Sequence, residues 1–110
     1  MPGERVVFIT APRGEGSRIA KYIVEKRLAA CVNVVHGITS FYWWEGRLVE
    51  DSEDLLVVKT VEEAVGALIE EVKKVHPYTV PEIVSLPIEK GNRDYLEWVR
   101  REVSLPSGHG

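Results

Sequence analysis

The chain has 110 residues, 45% hydrophobic and 28% charged, the make-up of one globular domain small enough that association would help stabilise it. A net charge of -3 at pH 7 supplies no electrostatic reason to bind DNA or RNA, and no apolar run reaches the roughly 20 residues that span a bilayer. A lone cysteine, Cys31, excludes an intramolecular disulfide, and the charged start MPGERVVFIT lacks a signal-peptide core, so a cytoplasmic protein is expected.

Residues 5–10, RVVFIT, form an apolar run of strand length. APRGEGS supplies turn residues, and Ser17 is placed to cap a helix whose apolar positions, Ile19, Ala20, Ile23, Val24 and Leu28, recur at helical spacing. Residues 30–44, ACVNVVHGITSFYWW, read as one long strand with a bend or bulge at His36-Gly37. Glu45-Gly46 makes a hairpin turn, and residues 47–60 return as the partner strand with the acidic stretch 50–54 in solvent. Thr60 and Glu63 have the spacing of a capping box ahead of an amphipathic helix that carries Ala64, Leu68 and Val72 on its apolar stripe and stops before Pro77. Residues 82–88, EIVSLPI, form a last strand, at an edge or ending there because of Pro87. Asn92 caps a short helix with Tyr95, Leu96, Val99 and Val103 on one face.

The order β-α-β-β-α-β-α predicts an α+β fold. It is a ferredoxin-like sandwich with one antiparallel sheet, a long central hairpin and an extra C-terminal helix. Residues 1–104 make a single domain, and 105–110, LPSGHG, are expected to fray. The two long helices cover one side of the sheet, which leaves the other bare. On the hairpin, Phe41, Tyr42, Trp43 and Trp44 alternate between faces and so line both. Two readings account for that surplus. As a ligand platform it would need cationic neighbours or a cage for a quaternary amine. As an interface it needs only a partner chain, and the bare sheet face favours this second reading.

Other motifs are weaker. PRGEGS joins a strand to a helix N-terminus, where an anion can sit, but the rest of a Walker or Rossmann pattern is missing and an ordinary turn is expected. Cys31, His36 and His76 are of metal-ligating types, yet no CxxC, HxxxH or HExxH spacing is present. In HPYTVPE, residues 76–82, Pro77 and Pro81 stiffen the connection after His76 and hold Tyr78 and Glu82 in fixed directions, a rigid presentation that suits a ligand cleft or simply braces the entry to a strand. No GxSxG or nucleophile motif supports hydrolysis, and no enzyme activity is expected. The loop lacks the acylphosphatase pattern, and the aromatics sit at a hairpin tip rather than on the central strands used for RNA.

Taken together, LAAC, YWWEG and HPYxVPE, set within residues 6–103, resemble the CutA family of divalent-cation tolerance proteins. The resemblance implies a cytoplasmic homotrimer without enzyme activity, its sheets packed inward and its hairpins paired with neighbours, so that Phe41, Tyr42, Trp43 and Trp44 become interface residues. It also implies a link to copper, with a divalent ion not needed for folding. Members for which copper binding is proposed carry ligands at the positions of Ile9, Val75 and His76, and only His76 is retained. A metal would then draw on His76, Cys31 or carboxylates across subunits. The family is similar in fold and assembly to PII signalling proteins, whose small ligands sit between subunits. HPYTVPE against a neighbour's hairpin is the matching cleft, with Lys59, Tyr78 and Glu82 as its polar groups. The absence of Gln leans towards a thermostable chain.

Overall fold

The computed structural model describes residues 3–105. Its elements are β1 (Glu4–Pro12), α1 (Gly16–Glu25), β2 (Cys31–Trp44), β3 (Arg47–Val61), α2 (Glu62–Val75), β4 (Ile83–Pro87) and α3 (Arg93–Glu102). The strands form a four-stranded sheet in the order β2-β3-β1-β4, with every pairing antiparallel. This is the expected ferredoxin-like α+β arrangement with its added third helix. Of the expected C-terminal tail, only Leu105 lies within the described residues.

Strand alternation divides the sheet. Val7 and Ile9 pair with Val58 and Leu56, and all four are fully buried beneath Ile19 and Ile23 of α1 and Leu68 and Val72 of α2. Each such side chain contributes roughly 2–3 kcal/mol on leaving water. The opposite parity, Val6, Phe8, Leu55, Val57, Val84 and Leu86, lines the second face, which no helix covers. Val84 and Leu86 there are 47% and 46% exposed.

The long hairpin follows from local chemistry. Glu45 (φ 50°) and Gly46 (φ 78°) both adopt left-handed backbone, the geometry of a tight turn whose twist matches its strands. The register slips between Val35 and Ile38, the bulge expected at His36-Gly37, and Gly37 takes φ 71° there. Beyond the bulge the hairpin outruns the helices. Phe41, Trp43 and Leu48 are 64%, 73% and 64% exposed, while Trp44 and the half-buried Tyr42 occupy the other face.

Three local expectations are corrected, each because a distant partner wins. Ser17 does not cap α1, which begins at Gly16 behind Glu15 without a side-chain cap. The cap comes from β3: Asp54 Oδ2 accepts from the Gly14 N–H at 2.9 Å and the Gly16 N–H at 3.0 Å. A Cβ on residue 16 would lie 2.7 Å from the Asp54 Cβ, so glycine is required for this close approach. Thr60 caps nothing either. It is the buried penultimate residue of β3, and its hydroxyl donates to the Leu28 carbonyl at 2.6 Å. Finally, the acidic stretch is not all in solvent, for Glu53 and Asp54 are 5% and 0% exposed. Asn92 does cap α3, accepting from the Asp94 N–H at 3.0 Å, and Pro87 closes the edge strand β4.

Candidate functional site

At the root of the hairpin the uncovered sheet face hollows into a cavity of about 780 Å³. This is the size range of small-ligand sites. Phe8, Tyr42 and Trp44 give it aromatic walls, Ile38 and Leu55 its apolar floor, and Glu53, Tyr78 and Glu82 its polar groups. Alternation explains the gathering. Leu55, Glu53 and Asp51 share one face of β3, and the bulge restores Ile38, Ser40 and Tyr42 to that same face of β2.

The α2–β4 connection, HPYTVPE, frames one side of the cavity through Tyr78, Val80 and Glu82. His76 is buried at the end of α2, with Nε2 2.8 Å from the Thr10 carbonyl. Its Nδ1 accepts from the Tyr78 N–H at 3.1 Å, so the ring proton resides on Nε2 and is donated to Thr10. The imidazole is thus a brace between α2 and β1. Tyr78 stacks at a tilt against it, with centroids 5.0 Å apart, and its hydroxyl donates to Glu53 Oε2 at 2.9 Å. Burial, then the bond to Glu53, pushes the Tyr78 phenol far above its usual range, so it stays a donor. Tyr42 repeats the motif, donating to Asp51 Oδ2 at 3.2 Å; desolvation and then that bond raise its phenol too.

Behind the cavity lies a second polar node. Asp54 binds the two loop N–H groups and also accepts from the Gly37 N–H at 3.3 Å, while His36 Nδ1 lies 3.6 Å from its Oδ1. Burial alone would raise this carboxyl, but the three backbone donors and His36 outweigh it and hold it below its ordinary value. One carboxylate therefore ties the β1–α1 loop, the bulge and β3 together.

Of the sequence-predicted residues, Tyr78 and Glu82 meet in the cavity, and Tyr42, Trp44 and Phe41 join them. Trp43 points away on the opposite face of the hairpin. Lys59 is not part of this group. It pairs with Cys31 at the far end of the sheet and donates to Asn33 Oδ1. Cys31 is half-exposed, its thiol only 3.9 Å from the same Asn33 oxygen. His76 bonds to Thr10, opposite Leu55, four residues along β3 from the Cys31 partner, so the structure does not bring the two metal candidates together within a chain. Among the described residues no three His, Cys, Asp or Glu side chains converge as a metal site. Sequence reasoning missed Glu53 and Asp54. No helix among the described residues is long and apolar enough to cross a membrane.

Comparison with known proteins adds the family context. The model of the CutA1 divalent ion tolerance protein family matches residues 5–102. The Divalent-cation tolerance protein CutA of Thermus thermophilus is 61% identical over 98 residues, 88% of this chain and 95% of that protein. The solved structure of the Thermus thermophilus divalent cation tolerance protein has a TM-score of 0.88 at 59% identity, covering 92% of this chain and 99% of that one. The rice Protein CutA 1, chloroplastic, is 52% identical over 96 residues, 86% of this chain, which spans 54% of the length of that relative. A structure described as PII-like protein CutA from Nostoc sp. PCC 7120 in apo form has a TM-score of 0.87 at 29% identity, covering 93% and 99% of the two chains.

Proposed function

Because this chain belongs to the CutA1 divalent ion tolerance family, we propose that it acts as a non-enzymatic homotrimer in divalent-cation tolerance, with copper as the metal and the cytoplasm as its location. The observation that carries the assembly is the uncovered sheet face. Apolar side chains from every strand lie there beside an aromatic hairpin, an area a monomer would leave in water. Phe41, Tyr42, Trp43 and Trp44 serve as interface residues in this reading. Light scattering coupled to size exclusion tests it: a trimer at micromolar concentration is expected, and a monomer would sink the proposal.

Copper contact is assigned to Cys31 rather than to His76. Both His76 ring nitrogens already have partners, whereas the Cys31 thiol has a long contact to Asn33 and the Tyr95 hydroxyl beside it. A thiolate is a soft ligand of the kind that suits copper. In calorimetric titration with Cu²⁺, His76→Ala should keep the parent affinity within about twofold, and Cys31→Ser should lose at least tenfold. The reverse ranking would return the metal to His76.

A second reading is supported by the cavity itself. A hollow of about 780 Å³ holding Tyr78, Glu82 and Glu53 is far larger than a metal ion requires. In this reading the protein is a PII-like sensor whose small ligand sits in the cleft that a neighbouring subunit closes. Lys59 enters such a cleft only from a neighbour, since within one chain it lies at the far end of the sheet.

A further inference from the structure

Glu53 is the least comfortable group in the cavity wall. The residue is only 5% exposed. Its Oε2 takes the Tyr78 hydroxyl, but among the described residues no donor reaches Oε1, and no lysine or arginine lines the cavity. The carboxylate thus has one neutral hydroxyl for company and no cationic partner. Oε1 is not sealed in, because every fully buried side-chain oxygen among the described residues has a partner; it opens into the hollow.

The rest of the lining has the same sign. Glu82 adds a second carboxylate, and Asp51 stands behind Tyr42. Both phenol protons are already committed to carboxylates. Apart from the Thr10 and Ser40 hydroxyls, the hollow therefore offers carboxylate acceptors and the aromatic side chains of Phe8, Tyr42 and Trp44, with no cationic group for an anion. A hard divalent ion needs six or more oxygens converging at about 2.0–2.6 Å, and no such convergence exists among the described residues. A compact organic cation suits all of these features at once. Its charge meets Glu53, and its alkyl groups lie on the aromatic walls where the ring quadrupole attracts them.

We propose that this cavity is a binding site for a small organic ammonium ion, with Glu53 as counter-ion, Tyr78 fixing that carboxylate, and Trp44 and Tyr42 as the cation–π wall. The inference rests on the small-ligand reading above and adds the class of ligand.

The test uses the full-length assembled protein and two probes of equal shape, choline chloride and its uncharged carbon isostere 3,3-dimethylbutan-1-ol, titrated by calorimetry. Choline is expected to bind at least tenfold more tightly than the isostere, and Glu53→Gln should erase that margin. Trp44→Leu, titrated at a protein concentration where light scattering shows the assembly intact, should weaken choline at least fivefold. Equal binding of the two probes to the parent overturns the ammonium site while leaving a small-ligand cavity standing. Binding of neither probe overturns both. A structure of the assembly with a neighbour's basic side chain seated on Glu53 also overturns it, since the cation would then be part of the protein.

Discussion

Replacing Asp54 with asparagine is expected to lower the stability of the folded protein by roughly 3 kcal/mol. The carboxylate accepts from Gly14, Gly16 and Gly37 through both oxygens. An amide keeps one acceptor and turns its NH₂ against the remaining N–H, leaving at least one donor unpaired at a site with no exposure. Urea denaturation at fixed protein concentration reads the loss; a change under about 1 kcal/mol would mean the node is not a main support. The same group sets a pH dependence. Its folded value is depressed below the ordinary 3.8, so its stabilisation is whole above that value and drains as pH falls through the folded value. Asp54→Asn should therefore flatten the acid limb of the stability curve, below about pH 4, while the parent loses stability there.

Trp43→Ala and Trp44→Ala are each expected to weaken self-association by about 2–4 kcal/mol, roughly thirty- to a thousandfold in the dissociation constant. The two residues lie on opposite faces of the hairpin and are 73% and 51% exposed in the single chain. Neither touches the core cluster, so truncation should leave the subunit folded while the assembly loosens. Dilution series followed by light scattering separate these effects. A tryptophan whose loss leaves the dissociation profile unchanged is no anchor of the interface.

What could be read from the sequence depended on how far away each residue's partner lies. Glu45-Gly46, Gly37 and Asn92 were legible because their roles are settled by backbone dihedrals or by an N–H two residues away. Thr60 and Ser17 were misread for the converse reason. Their motif spacing was correct, but Thr60 bonds Leu28 across 32 residues, and Ser17 is displaced by a carboxylate from β3. Asp54 did leave a trace. It has the same parity as Leu56 and Val58, so strict alternation places it on the core face, although an acidic run suggests solvent. Glu53 left a fainter one, in phase with Leu55 on the uncovered face. The cavity needed the bulge to be resolved, because a one-residue slip decides whether Tyr42 faces Glu53 or turns away from it. The bare second face was readable from helix count alone.

The central place of β1 bears on how the chain is made. This strand pairs on one side with β3, up to Val61, and on the other with β4, residues 83–87. Both neighbours are synthesised long after it. A nascent chain that has emerged only as far as Pro77 can zip the hairpin and lay β1 along it, yet one edge of β1 remains a row of unpaired N–H and C=O groups. That edge closes only when five late residues arrive, so premature termination before Ile83 yields a sheet with a sticky central strand. Translation of the last segment is thus the step at which β1 ceases to be an open edge.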